Sequence, residues 1–335
     1  MQTAPEPAPG GAELADAERA LASVVRETPL LSAPALDRVL GMRVLVKAES
    51  LQLTGSFKMR GAYYRLTRLG RDGEKSGVVA FSSGNFAQGL AAAGQMLGIP
   101  VTIVMPFDAP PAKIESTRGW GANVVLSEHG AENREVVAAE RARRISAETG
   151  ATLLHPFDDP LIVAGQSTAA AEMLRQAKLI GVSLDAVLVP VGGGGLLAGS
   201  ALALEQAANV PEVIAVEPAG YDDFGRSLVA GERVGNAIGG KTLCDALQAA
   251  MPGAVTFGLA QGRVQTGIAV DDIHVRRAMA LAFQHLKIVL EPSGAVGLAA
   301  LLSGALDHLK GATVAVLGSG GNIALEDFTR LATIH

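Results

Sequence analysis

The stretch "VPVGGGGLLAG" (residues 189–199) joins two apolar runs through four consecutive glycines. Upstream, "DAVLVPV" (185–191) has no polar alternation, the pattern of a parallel strand covered on both faces. Downstream, residues 196–208 are rich in Ala and Leu and read as a helix. Between them Gly192, Gly193, Gly194 and Gly195 make a turn without Cβ atoms. Their N–H groups can converge on an anion, with the start of the following helix behind them. A flexible linker does not sit between a buried strand and a buried helix, so the segment reads as a strand–turn–helix unit with a phosphate-binding turn.

The same unit repeats outward along the chain. Strands are predicted at 77–82, 100–106, 123–128, 151–157, 212–218 and 312–319. Helices are predicted at 86–97, 132–148, 165–178, 272–287 and 294–303. Alternating strands and helices of this kind give an α/β protein with doubly wound parallel sheets. Residues 73–153 hold a βα set of their own and read as a small domain inserted into a larger one built from 1–72 and 154–335. Residues 1–14 read as a flexible tail.

The composition fits. Of 335 residues, 49% are hydrophobic and only 4% aromatic, with 40 glycines for tight turns. The net charge of −5 and the lack of a long basic run argue against a nucleic-acid partner. No apolar run reaches membrane length, and the first residues lack the features of a signal peptide. The one cysteine, Cys244, allows no intrachain disulfide and suits the cytoplasm.

Three further loops carry candidate chemistry. "TGSFKMRGA" (54–62) places Lys58 beside Phe57 and a Gly-Ser pair. That lysine is open to three readings: a surface charge, a phosphate hook, or an amine held for covalent work. "FSSGNFAQGLAAA" (81–93) puts Ser82, Ser83, Gly84 and Asn85 at a helix start, where N–H groups can take a carboxylate or serve as an ordinary cap. "VLGSGGN" (316–322) brings Ser319 out at the end of a strand, where ligands gather in open parallel sheets. The glycine run lacks the Gly-Lys-Ser/Thr ending of a triphosphate loop. It does hold a G-x-G-x-x-A arrangement at Gly193, Gly195 and Ala198, and Glu217 ends the next strand. Taken alone, that segment also admits a nicotinamide-dependent (NAD) oxidoreductase.

The ordered set of segments decides between these. "LVKAESLQLTGSFKMRGA" (45–62), "SSGNFAQGLA" (82–91), "HPFDDPLIVAGQST" (155–168), the glycine run, "VEPAGYDD" (216–223), "LEPSGAVGLAAL" (290–301) and "GSGGN" together resemble the fold-type II pyridoxal-phosphate enzymes. These have the tryptophan synthase β-like fold. The branch resembled is that of threonine/serine dehydratases and serine racemase. The resemblance spans nearly the whole chain.

It implies roles. Lys58 carries pyridoxal 5′-phosphate as a Schiff base, with Phe57 near the cofactor. Asn85 bonds the ring's 3′ oxygen. Gly192 to Gly195 and the N–H of Leu196 hold the phosphate, and Ser319 bonds the pyridine nitrogen. Ser82, Ser83, Gly84, Asn85 and Phe86 border the substrate carboxylate. Glu217, the Tyr221 carbonyl and Asp223 match a structural cation site, whose oxygen ligands suit Mg2+ or Ca2+.

The expected activity is β-elimination from a threonine- or serine-type amino acid, giving a 2-oxo acid and ammonia. Serine racemisation is the alternative, with Ser83 facing Lys58 across the substrate. The expected partners are a small amino acid and a second copy of the chain. Two positions depart from the family's pattern: Phe86 stands where a histidine is usual, and Ala246 in "CDALQ" (244–248) stands where a glycine is usual. His155 keeps the family's position and reads as structural.

Overall fold

A computed structural model describes residues 8–128, 130, 134–237 and 240–333. Among these, ten strands form two sheets: β1 (Leu30–Ser32), β2 (Arg43–Ala48), β3 (Val78–Phe81), β4 (Val101–Pro106), β5 (Asn123–Ser127), β6 (Thr152–Leu154), β7 (Ala186–Pro190), β8 (Glu212–Pro218), β9 (Thr266–Val270) and β10 (Thr313–Gly318). The larger sheet has the order β1-β2-β10-β7-β8-β9, and the smaller β5-β4-β3-β6. All neighbours run parallel except β1, which lies antiparallel to β2 at one edge. The four strands of the smaller sheet all come from residues 78–154.

The helices between and beside them are α1 (Gly11–Leu21), α2 (Pro34–Leu40), α3 (Lys58–Leu66), α4 (Arg71–Ser76), α5 (Asn85–Leu97), α6 (Pro111–Gly119), α7 (Arg134–Thr149), α8 (Pro160–Leu179), α9 (Gly195–Leu204), α10 (Asp223–Ala230), α11 (Ala254–Ala260), α12 (Asp272–Leu281), α13 (Pro292–Leu302) and α14 (Leu325–Ala332). Among the described residues no helix is long and apolar enough to cross a membrane.

The central strands show why they lack polar alternation. In β7, Ala186 and Leu188 point into a core shared with α12 and α13, whereas Val187 and Val189 point into a second core shared with α8 and α9. In β10, Val314 and Val316 feed the first core and Ala315 and Leu317 the second. Successive side chains leave opposite faces of a strand, so a strand covered on both sides must be apolar throughout. Each of these Val and Leu side chains contributes about 1.5–3 kcal/mol on full burial.

Several boundaries differ from those predicted. Strand β6 stops at Leu154 because His155 Nδ1 accepts the N–H groups of Phe157 and Asp158 and turns the chain. Helix α8 starts at Pro160, five residues before the predicted start. Asp159 caps it by accepting from Leu161 and Ile162 N–H, and proline suits the first helical position. The helix predicted over 272–287 becomes a π-turn after Leu281 and ends at Lys287, whose φ is +60°. Strands β1, β2 and β9 escaped the pattern. The first has three residues, and β9 lies at an edge and alternates in burial. Helix α1 begins at Gly11, inside the segment read as a tail, and buries Leu14.

Candidate active site

After β2 the chain makes two short 3-10 turns and reaches α3, whose first residue is Lys58. This approach is pinned to the end of β10 by backbone bonds. Ser56 bridges Gly320, Phe57 N–H donates to Ser319 O at 3.1 Å, and Gly321 N–H donates to Gly55 O at 2.9 Å. The lysine loop and the "GSGGN" loop are therefore one structural unit. Helix α5 packs on the start of α3 without a side chain in between: a Cβ at Gly89 would lie 3.0 Å from Met59 N.

The amine of Lys58 donates to Pro156 O at 3.0 Å and lies 5.1 Å from the Phe57 ring centre and 5.8 Å from that of Phe86. Burial disfavours its charged form and pulls its pKa down to about 8. The side chain is half-buried, with its amine on a backbone carbonyl and beside two rings, which is not the setting of a free surface charge. His155 is T-stacked between Phe81 and Phe157. Burial lowers its pKa, and its Nδ1 is occupied by the turn described above. Its contacts are those of a side chain that shapes the turn.

The glycine run follows β7 and faces a different neighbour at each position. A Cβ on Gly193 would sit 2.2 Å from the Phe157 ring, and one on Gly192 would meet Leu247 Cα at 3.2 Å and Ala246 O at 3.3 Å. Gly194 has φ +94° and precedes α9 with no side-chain cap, so the N–H groups at that helix start remain available. The Gly193 carbonyl accepts from Thr256 Oγ1 at 2.6 Å, and Asp158 caps α11 through the N–H groups of Ala254, Val255 and Thr256. The "HPFDD" segment thus lies between the two candidate centres. Pro156 holds Lys58, Phe157 covers Gly193, and Asp158 braces the glycine loop.

Helix α5 also starts without a side-chain cap, at Gly84. The serines before it are half-buried, and Ser82 Oγ accepts the Gly84 N–H at 3.3 Å. Among the described residues no hydrogen bond engages the Ser83 hydroxyl. Phe86 is buried in the core between α3, α5 and the smaller sheet. Asn85 is buried and bonded to Glu291 and Asn322.

The structure brings Phe57, Lys58, Asn85, Phe86 and Ser319 together, with the glycine loop joined through Phe157. Glu217, Tyr221 and Asp223 lie behind that loop. The Glu217 carboxylate accepts the N–H groups of Phe224 and Gly225 at 2.8 Å each, so it caps α10. It does not turn toward the glycine loop as a ribose-binding acid would. The α10 residue Phe224 in turn backs Gly194, where a Cβ would lie 2.4 Å from the Phe224 ring. Burial pushes Glu217 up to about 8 and Asp223 up to about 6. Asp223 Oδ1 accepts from Asn236 at 2.5 Å, and Oδ2 is buried without a partner. Tyr221 donates its hydroxyl to Gly240 O at 3.0 Å. Among the described residues no group of three His, Cys, Asp or Glu side chains could hold a metal ion.

Residues 21–320 match the family of pyridoxal-phosphate dependent enzymes. The chain belongs to this family. An L-threonine ammonia-lyase of Thermotoga maritima is 40% identical over 95% of the chain and 77% of the relative. An L-threo-3-hydroxyaspartate ammonia-lyase of a Pseudomonas species is 39% identical over 94% of the chain and 95% of the relative. Among solved structures, maize serine racemase superposes with a TM-score of 0.89 at 34% identity, over 97% of each chain. Membership of the pyridoxal-phosphate enzymes overturns the nicotinamide alternative.

Four groups near the site were not singled out from the sequence: Glu291, Asn322, Thr256 and the buried ion cluster around Arg60. Asn322 ends the "GSGGN" motif and Glu291 starts "EPSG", so both lay within recognised segments. Their partners are far away in sequence, which left no local signal. In the cluster, Arg60 pairs with Glu49 at 2.8 Å and Glu172 at 3.2 Å, and Lys47 also pairs with Glu172.

Proposed function

We propose that the protein is a pyridoxal-phosphate-dependent ammonia-lyase that converts a β-hydroxy amino acid to a 2-oxo acid and ammonium. The observation that carries this is the desolvated amine of Lys58, held where the glycine loop, the "SSGN" loop and the Ser319 strand end meet. The residues fit the cofactor. Phe157, Leu247, Phe224 and Thr256 press on the glycine loop so closely that its backbone is left bare of side chains, it has an uncapped helix start beside it, and Lys58 has a lowered pKa and no carboxylate partner among the described residues.

Gly192 to Gly195 and Leu196 N–H would take the phosphate, Lys58 the aldehyde carbon, Asn85 the ring oxygen and Ser319 the ring nitrogen, with Phe57 alongside. When bound, the cofactor supplies the electron sink that stabilises negative charge at the substrate Cα. The chain's own residues bind and move protons. The uncapped start of α5, with Ser82 and Ser83, receives the substrate carboxylate at the positive end of the helix. Lys58 Nζ, neutral in a useful fraction because of its burial, removes the α-proton. Loss of the β-hydroxyl and hydrolysis then turn HO–CHR–CH(NH3+)–COO− into R–CH2–CO–COO− and NH4+. A serine at the pyridine nitrogen withdraws less charge than an acid would, which favours rapid elimination over longer-lived carbanion chemistry.

Serine racemisation is the second reading, because the Ser83 hydroxyl is uncommitted and could return a proton from the other face. The cation reading is kept as a proposal, in a narrower form. Asp223 Oδ2 is an unpartnered buried oxygen, and Asp223, Glu217 and the Tyr221 carbonyl would hold Mg2+ or Ca2+ only if Glu217 released part of its helix cap. We further assign the protein to the cytoplasm, as a homodimer acting on a small amino acid. Sedimentation tests the assembly.

The decisive experiment is a keto-acid assay of the loaded protein over threonine, serine, β-hydroxyaspartate and phenylserine, with chiral analysis of residual serine. Keto acid from at least one substrate supports the lyase. D-serine without keto acid would replace it with the racemase. Neither product from any of the four would defeat both readings.

A further inference from the structure

We propose that Glu291 and Asn322 are positioning residues that fix the amide of Asn85, so that one Nδ2 hydrogen stays directed at the cofactor ring. This rests on reading the site as a pyridoxal-phosphate site. An asparagine amide is nearly symmetrical in shape and can turn over, exchanging donor for acceptor. A ring oxygen needs the donor, so something must decide the orientation.

The decision starts at a backbone carbonyl. Thr54 O can only accept, and Asn322 Nδ2 donates to it at 2.8 Å. The same nitrogen donates its second hydrogen to Asn85 Oδ1 at 2.7 Å. Asn85 must therefore present its oxygen to Asn322 and its nitrogen to the other side. There Nδ2 donates one hydrogen to Glu291 Oε1 at 2.6 Å, and its second hydrogen has no partner among the described residues. Turning the amide over would set Asn85 Nδ2 against a donor on the Asn322 side and its oxygen against Glu291 on the other.

The surroundings are shaped for this chain of bonds. A Cβ on Gly320 would lie 2.4 Å from Glu291 Oε1, and one on Gly55 would lie 2.2 Å from Asn322 Oδ1. Thr54 adopts φ +64°, an unfavourable backbone for a β-branched residue, and in doing so presents its carbonyl to Asn322. Glu291 is buried on the residue before α13, and among the described residues its side chain is bonded to Asn85 and to no cation. The glycines of "GSGGN" and "TGSFK" thus have a packing reason separate from phosphate or substrate binding.

The test measures the pyridoxal-phosphate dissociation constant and the absorption maximum of the loaded protein in wild type, Asn85→Ala, Glu291→Ala, Glu291→Gln and Asn322→Ala. Glu291→Ala and Asn322→Ala should each weaken cofactor binding about tenfold, the scale on which outer partners of a ligating group act. They should move the absorption maximum in the same direction as Asn85→Ala. In an Asn85→Ala background, Glu291→Ala should add no further loss, because the residue it positions is gone. Glu291→Gln keeps an acceptor oxygen and should keep the wild-type spectrum.

Full additivity in the Asn85→Ala background would overturn the proposal. So would an unmoved spectrum in Glu291→Ala and Asn322→Ala, or a Glu291→Gln as damaged as Glu291→Ala. If Glu291→Ala does not fold, Asn322→Ala and Glu291→Gln decide. A wild type that binds no pyridoxal phosphate defeats the reading of the site, whereas a loaded wild type with unaffected variants defeats only the positioning role.

Discussion

Removing the carboxylate of Glu172 should destabilise the protein more than any exposed charge change. Four ionisable groups, Lys47, Arg60, Glu49 and Glu172, are buried together between β2, α3 and α8, two positive and two negative. Glu172 Oε1 accepts from Thr28 N–H at 2.9 Å, from Lys47 Nζ and from Arg60 Nη2 at 3.2 Å, and Oε2 accepts from Arg60 Nη1 at 3.2 Å. Burial works against the Glu49 carboxylate, but Arg60 and Lys47 outweigh it and hold its pKa below the ordinary value. Burial pulls Lys47 down, against the opposing effect of Glu172 and Glu49.

Glu172→Leu leaves two cations with one carboxylate and orphans the Thr28 N–H. The expected loss is about 3–5 kcal/mol, the usual cost of breaking one side of a buried pair. That is a large part of a typical stability of about 5–15 kcal/mol. With a urea slope of about 3 kcal/mol/M, the midpoint by far-UV circular dichroism should fall by roughly 1–1.7 M. Lys47→Met should cost a similar amount. The double variant restores neutrality, keeps the Arg60–Glu49 pair, and should recover to within about 2 kcal/mol of wild type, because isosteric replacement of a whole buried pair is often near neutral. A double variant as unstable as the sum of the singles would refute the electrostatic reasoning. A Glu172→Leu loss under about 1 kcal/mol would do the same.

Other expectations follow from the site. Lys58→Ala should abolish turnover and the chromophore that borohydride fixes in the wild type, with circular dichroism unchanged; residual turnover would contradict its role. Because the folded pKa of Lys58 is about 8 against an ordinary 10.5, the cofactor-free protein binds fewer protons folded than unfolded between those values. Its contribution makes stability rise with pH across that window, and Lys58→Met should remove the slope in urea titrations. Gly193→Ala would press a methyl into Phe157 and should weaken pyridoxal-phosphate binding at least tenfold by fluorescence titration, more than Gly193→Ala in a Phe157→Leu background. Glu217, raised to about 8 by burial, binds more protons folded than unfolded between 4.5 and 8, so its contribution lowers stability as pH rises there. Under the cation reading, millimolar Mg2+ should reverse that fall and raise the melting temperature, and Asp223→Asn should cancel the gain.

The sequence alone settled the local matters. Unalternating runs such as 185–191 read as covered parallel strands because both faces of β7 meet apolar cores, and no partner needs to be known for that pattern to show. The glycine run read as a cradle because four missing Cβ atoms are visible in the string itself. Lys58 stood out through the segment around it. Short or edge elements, β1 and β9, left too weak a period to be seen.

What the tertiary structure decided are relations between distant residues. Only packing shows that Lys58 is desolvated, that Pro156 holds its amine, and that "TGSFK" and "GSGGN" are bonded into one unit from opposite ends of the chain. Glu217 could be read from sequence as a ribose acid or a metal ligand, and its place as the cap of α10 depended on where that helix lies. Asn85, Glu291 and Asn322 meet across 206 and 237 residues of chain. Hydrogen-bond direction is set by which donor faces which acceptor in space, and a sequence carries that information only once it has folded.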